Sequence, residues 1–176
     1  TGSLNFTPAT DATGSATITV TVNDGQAANN TVTRTFTVTV SPVNHPPTLD
    51  PINALTIDED AALQTVNLTG ITTGSANETQ TLTVTAVSSN PSLIPNPTVG
   101  YVSPGAAGTL SFTPVANANG AATITVTVND GQTLNNTVTQ TFTVTVNAVN
   151  DAPTLNPINN VSINENAAQQ TVNLSG

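Results

Sequence analysis

Apolar and polar side chains alternate along several short segments of this chain. In residues 16–22, Ile18, Val20 and Val22 fall on one face of an extended strand, and threonines fall on the other. Residues 31–40 alternate in the same way after an Asn-Asp-Gly loop. Alternation with period two and many β-branched residues predicts half-buried β-strands, and no segment has the period of an amphipathic helix.

The alternating pattern repeats along the chain with an offset of 106 residues. Of the 70 positions that align at this offset, 47 are identical, which indicates tandem duplication of one unit. A unit of about 100 residues is an ordinary single domain and can bury its own core. We therefore predict the C-terminal part of one repeat at 1–44, a complete repeat at 45–150 and the N-terminal part of the next at 151–176.

Seven strands are predicted in the complete repeat, separated by turns rich in Gly, Pro and Asn: 48–57 (broken at Pro51), 64–68, 81–87, 98–102, 109–113, 122–128 and 137–146. A further short strand is expected at 3–7. Proline-containing segments separate the repeats at 41–48, the first linker, and at 147–153, the second linker. The expected fold class is therefore all-β, with tandem immunoglobulin-like antiparallel β-sandwiches joined by these linkers.

The composition narrows the range of partners. Charged residues make up 6% of the chain, against roughly a quarter in typical globular proteins. Arg34 is the single basic side chain and the net charge is −9, so the chain has no cationic surface for nucleic acid. Direct membrane insertion by this segment is not expected either, because it has no long apolar run. The absence of cysteine excludes a disulfide scaffold.

The linkers and turns resemble those of a known family. The segments VNDAPTL at 149–155 and VNHPPTL at 43–49, the NDG loops and NENAA at 164–168 are similar to cadherin-like and immunoglobulin-like tandem repeats of very large bacterial surface proteins and adhesins. The resemblance covers the whole chain. It implies an extracellular protein, at the cell surface or secreted, in which stiff cadherin-like sandwiches space a distal module from the cell. Its partners are then neighbouring repeats of the same chain, with self-assembly into a filament as an extension.

The resemblance also implies calcium between the domains, because VNDAP is similar to the xNDNxP linker of cadherins. The acidic turn after the first strand, the 115–120 loop and the second linker are expected at one end of the complete repeat. They supply seven oxygen-bearing side chains of the kind that Ca²⁺ binds: Asp58, Glu59, Asp60, Asn117, Asn119, Asn150 and Asp151. The first linker offers fewer such groups and has His45 in place of Asp151.

A simpler interpretation of these seven residues remains open. Asn and Asp favour turns because their side chains bond nearby backbone amides. The acidic turn also changes between copies, since Asp58 and Asp60 become Asn164 and Asn166. The sequence therefore leaves two alternatives for this end of the repeat, an interdomain calcium site or a set of turn-forming residues.

The residue types that are absent or rare in this chain argue against other functions. An enzyme is not expected, because paired catalytic groups are missing and the sole histidine, His45, is an aspartate in the other copy. The alternative function is a glycan- or partner-binding module, although aromatic residues are only 3% of the chain. Rows of threonine raise a third alternative, ice binding, but sandwich sheets twist, and cross-strand threonine pairing is the simpler interpretation.

Overall fold

A computed structural model describes all residues from Thr1 to Gly176. Its nine strands are β1 (Gly14–Asn23), β2 (Thr31–Val40), β3 (Leu55–Asp58), β4 (Gln64–Leu68), β5 (Thr83–Ser88), β6 (Thr98–Gly100), β7 (Gly108–Phe112), β8 (Gly120–Asn129) and β9 (Thr137–Asn147). No helix is long and apolar enough to cross a lipid bilayer. Strands β3 to β9 form the predicted β-sandwich, in which a sheet of order β3-β9-β8-β5 faces a sheet of order β4-β7-β6.

The hydrophobic core lies between these two sheets. Alternate residues of β8 and β9 are buried, as the pattern predicts: Ala122, Ile124, Val126, Val128, Phe142, Val144 and Val146. From the opposite sheet, Leu68, Leu110 and Phe112 pack against them. Removing this apolar surface from water supplies roughly 25 cal/mol per Å² and is the main driving force for the fold.

One strand pair departs from the predicted antiparallel arrangement. Strand β3 pairs in parallel with β9, with Leu55 opposite Val144, whereas the other strand pairs are antiparallel. Before Pro51, the chain makes only an isolated bridge between Thr48 and Thr72. Pro51 has no N–H to donate, so the chain changes pairing partner there and continues along the edge of β9. Alternation predicts strands but not the direction in which they pair.

The predicted strand at residues 3–7 is wrong, because this segment pairs with nothing. In residues 45–150 the equivalent strand, β7, pairs with both β4 and β6. Residues 1–44 contain no counterpart of either partner, so the backbone groups of 3–7 have no ladder to join. Residues 151–176 likewise form no strand and are exposed to solvent.

Threonine rows face each other across the two hairpins β1–β2 and β8–β9. The hydroxyl oxygens of Thr127 and Thr139 lie 3.4 Å apart, and those of Thr21 and Thr33 lie 3.3 Å apart. These pairs are directly opposite each other in the strand register. The predicted cross-strand pairing is therefore confirmed, and it links the outer faces of the strands without charged groups.

The two hairpins have the same register but different surroundings. Phe142 in β9 is 4% exposed because the opposite sheet covers it, whereas Phe36, its equivalent in β2, is 44% exposed. Val126 is 0% exposed, whereas Val20, its equivalent in β1, is 40% exposed. Strand formation thus follows the local sequence in both copies, while burial depends on the second sheet.

Candidate functional site

The acidic turn, the loop before β8 and the second linker meet at one end of the sandwich. Asn147 Nδ2 donates to Asp58 Oδ1 over 3.1 Å, and the backbone N–H of Val149 donates to Glu59 Oε1 over 2.7 Å. The backbone N–H of Asn117 donates to Asp60 Oδ1 over 3.1 Å. The structure therefore brings Asp58, Glu59, Asp60 and the 117 backbone together with the start of the second linker.

The remaining predicted ligands are less closely tied to this end. Asn119, Asn150 and Asp151 are exposed, and the Asn150 side chain donates only to the neighbouring carbonyl of Asp151, over 3.0 Å. Among the seven predicted ligands, Glu59 is the one that is buried, at 8% exposure. Its backbone N–H also donates to the carbonyl of Asn147. Glu59 is thus the buried residue that holds the second linker against the sandwich, beside the exposed Asp58.

The oxygens at this end fit Ca²⁺ by chemistry but do not form a cage. Ca²⁺ takes six to eight oxygen ligands, and carboxylates and Asn carbonyls are its usual protein donors. No group of three or more acidic or histidine side chains converges in a metal-binding arrangement. Asp58, Glu59 and Asp60 instead each accept a hydrogen bond from a different donor. Each of these hydrogen bonds uses one oxygen of the carboxylate, which leaves the other oxygen available to a cation.

The first linker is bound to the opposite end of the sandwich through Asn44. Asn44 Nδ2 donates to Asp130 Oδ2 and to the carbonyl of Leu134, both over 2.9 Å. Asn44 Oδ1 accepts from Gln80 Nε2 over 2.8 Å. Asp130 is 3% exposed, and its other oxygen accepts the backbone N–H of Gln132 over 2.9 Å. Asp130 in the NDG loop therefore both shapes a turn and receives the linker.

His45 joins residues 1–44 to the sandwich. Its Nδ1 lies 2.9 Å from Glu78 Oε1, and its backbone N–H donates to the same oxygen over 2.8 Å. Its Nε2 lies 3.4 Å from Asp11 Oδ1, in the turn before β1. Asn77 Nδ2 donates to the carbonyl of Asp11 over 2.8 Å and adds a second contact between the two parts.

The charges at this junction shift two pKa values. The hydrogen bond to Glu78 is the largest cause that raises the pKa of His45 above 6.5; partial burial opposes it, and the negative charges of Glu78 and Asp11 reinforce it. Burial opposes the ionised form of Glu78, but the hydrogen bonds from the His45 side chain and backbone outweigh it. The pKa of Glu78 is therefore lowered from 4.5.

Glu78 and Gln80 were missed by the sequence interpretation. Both lie in the connection between β4 and β5, which has no turn signature that points to the first linker. One signal was present: Glu78 is one of three glutamates in a chain with few charges. Because charged residues are rare in this chain, Glu78 stands out in the sequence. The sequence does not show, however, which group Glu78 binds.

An open cleft of about 620 Å³ borders the first linker. Of the 11 residues that line it, two are hydrophobic, and none is aromatic. Ligand pockets are usually lined mainly by hydrophobic and aromatic side chains, with a few polar groups that orient the ligand. The cleft therefore gives little support to a small-molecule or glycan site at this position.

Comparison with known protein families identifies the family of this chain. A family model described as a cadherin-like domain matches residues 43–147, which is more than half of the chain. This match begins in the first linker and ends with β9. The comparison with curated proteins finds no match.

Solved structures with similar folds include the human desmocollin-1 ectodomain, with 18% identity over 81% of this chain and 29% of that chain and a TM-score of 0.52. The titin domains Z1Z2 in complex with telethonin match at 16% identity over 66% of this chain and 53% of that chain, with a TM-score of 0.42. Domains 1–6 of the surface layer protein SbsC match at 22% identity over 84% of this chain and 18% of that chain, with a TM-score of 0.39. The chain thus spans about half or less of these structures. At such identities, the desmocollin similarity supports the fold alone.

Proposed function

Because the chain belongs to the cadherin-like domain family, we propose that it is a structural repeat of an extracellular surface fibre or giant adhesin. In this role, units at 1–44, 45–150 and 151–176 are stacked end to end, and each complete sandwich is a stiff spacer. A protein built from such repeats lies at the cell surface or is secreted. The partners are neighbouring repeats of the same chain, with filament formation as an extension of the same stacking.

The observation that supports this proposal best is the hydrogen bonding of both linkers to the sandwich. Asn44 in the first linker bonds the β8–β9 loop, and Val149 in the second linker bonds Glu59. A flexible linker samples many end-to-end distances, whereas a linker with bonded backbone and side chains samples few. Joints of this kind suit a spacer, because they limit bending between consecutive units.

Restricted bending can be measured across the first linker. The chain has no cysteine, so Thr19→Cys in β1 and Thr143→Cys in β9 introduce two unique sites for spin labels on exposed positions. Pulsed electron paramagnetic resonance at about pH 5.5, below the ordinary histidine pKa, is expected to give one narrow distance distribution. Asn44→Ala in the same labelled chain is expected to broaden it. A broad distribution in the unmodified linker would contradict the spacer function.

We further propose that Ca²⁺ stiffens the second linker, with ligands drawn from the acidic turn, the 117–119 loop and Asn150–Asp151. The family and the oxygen chemistry of these residues support this proposal. Bound Ca²⁺ would draw on oxygens of the three carboxylates, each of which now accepts one hydrogen bond from a separate donor. The linker would then be held by a shared ion as well as by Glu59.

Addition of Ca²⁺ is expected to raise the melting temperature of the chain relative to a chelator. A ligand at about 100 times its Kd stabilises the folded state by about 2.7 kcal/mol, or about 10 °C for a domain of this size. Asp58→Asn together with Asp60→Asn, which reproduces the next copy, should reduce the shift, whereas Asp24→Asn in the exposed β1–β2 loop should not. An unchanged melting temperature would exclude calcium here and leave the spacer function standing.

No catalytic role is proposed for this chain. The sole histidine, His45, is engaged by two carboxylates and is replaced by Asp151 in the second linker. A residue that carried a reaction would not be interchangeable between copies in this way.

A further inference from the structure

His45 has a carboxylate facing each of its two ring nitrogens. Nδ1 faces Glu78 in the sandwich at 2.9 Å, and Nε2 faces Asp11 in residues 1–44 at 3.4 Å. A carboxylate can only accept, so an N–H on Nδ1 bonds Glu78, and a second N–H, on Nε2, makes the 3.4 Å contact with Asp11 attractive. Neutral imidazole carries one N–H and imidazolium carries two. The observed double contact is therefore fully satisfied only when His45 is protonated.

We propose that the first linker is a proton-controlled joint, in which protonated His45 ties the Asp11 carboxylate to Glu78 and deprotonation releases that carboxylate. For its biological consequence this inference rests on the spacer function proposed above, because a joint matters only if bending between units matters. Its structural content concerns three side chains and can be tested separately.

Asp11 is the partner released, because the Glu78 contact is shorter and better supported. The backbone N–H of His45 donates to the same Glu78 oxygen, which keeps the ring beside that carboxylate. The side chain of Glu78 is 11% exposed, whereas that of Asp11 is 44% exposed and can turn to water. In the neutral ring, the remaining N–H stays on Nδ1. Nε2 then presents a lone pair to Asp11, and the contact becomes repulsive.

Asp130, which also contacts the first linker, does not compete for His45. Asp130 is bonded by Asn44 and by the backbone of Gln132. Asp11 and Glu78 are therefore the two carboxylates that face the ring, one from the turn before β1 and one from the β4–β5 connection.

The pH window follows from the signs of the two shifts. The pKa of His45 is raised, so its contribution is fully present below 6.5 and is lost as pH rises through the higher folded value. The pKa of Glu78 is lowered, so its contribution is present above 4.5 and is lost as pH falls through the lower folded value. The joint is therefore closed most completely between pH 4.5 and 6.5 and opens on the alkaline side.

The second linker lacks this control. Asp151 occupies the position of His45 there, so the second linker contains no histidine. A rise in pH through the folded pKa of His45 thus loosens one joint and leaves the other unchanged. Consecutive joints of the same fibre then differ in stiffness under the same conditions.

The sole histidine makes the titration direct to observe. In the 176-residue chain, the ring signals of His45 followed by nuclear magnetic resonance are expected to titrate with a pKa above 6.5. Asp11→Asn should lower this pKa in part, and Glu78→Gln should lower it further. Asp24→Asn, in the β1–β2 loop, is the matched control and should leave it unchanged. A wild-type pKa at or below 6.5, or one that does not respond to Asp11→Asn, would overturn the proposal.

The spin-label pair at positions 19 and 143 then reports the joint itself. The distance distribution is expected to broaden as pH rises through the measured pKa, and His45→Gln should give the broad distribution at both pH values. A wild-type distribution that stays narrow on both sides of the pKa would overturn the proton-controlled joint while supporting the spacer. A wild-type distribution that is broad at both pH values would overturn both the proton-controlled joint and the spacer function.

Discussion

Replacement of Phe142 by alanine is expected to lower the free energy of unfolding of the sandwich by about 3–5 kcal/mol. Phe142 is 4% exposed and packs in the cluster formed by both sheets. Its removal loses the transfer free energy of the ring and leaves a cavity that the backbone cannot close, because β9 is held by β8 at Phe142 and by β3 from Val144 onward. Equilibrium denaturation in urea, followed by circular dichroism, measures the change.

The chain offers its own matched control for this substitution. Phe36 occupies the equivalent place in β2, opposite Ile18, just as Phe142 lies opposite Ile124. It is 44% exposed, so Phe36→Ala should cost the sandwich less than about 0.5 kcal/mol, as expected of a surface substitution. Equal losses for the two variants would show that the second sheet does not cover Phe142 as described.

Turn conformations are the part of the fold that local sequence determines most completely. Residues in the left-handed region recur at the repeat offset: Asp11 and Asn117 at φ 58° and 55°, and Asp60 and Asn166 at 61° and 60°. Asp60 lies in a packed repeat, whereas Asn166 lies among exposed residues without strands. The same dihedral in both settings means that Asn and Asp select it through short-range contacts. Local sequence therefore sets these turns in both copies.

Partners across the sandwich could not be predicted in the same way. The contact between His45 and Glu78 joins residues 33 apart, and the bond between Asn44 and Asp130 joins residues 86 apart. Alternation specifies which face of a strand is apolar, but it does not specify which loop the linker meets. The acidic turn illustrates the same limit, since the sequence placed it correctly beside the second linker without showing that Glu59 would accept the backbone N–H of Val149.

Substitution of Gly74 by alanine is expected to destabilise the chain by about 2–6 kcal/mol and to disturb the first linker. Gly74 has φ +93°, and a Cβ at this position would overlap the backbone oxygen of Pro46 and lie 3.1 Å from the Cβ of His45. The backbone strain costs about 1–3 kcal/mol, and displacement of the linker adds an overpacking cost of about 1–3 kcal/mol. Thermal and urea denaturation measure the sum.

Gly131→Ala separates these two costs. Gly131 also has positive φ, at +77°, but a Cβ there would meet nothing within 4 Å. Only the backbone strain then applies, about 1–2 kcal/mol for an L-residue in the left-handed region. Gly74→Ala should therefore be the more destabilising of the two, and it alone should broaden the label distances across the first linker. If both variants lose the same stability and keep narrow distances, the linker does not rest on Gly74, and the stiffness of the joint must come from Asn44 and His45 alone.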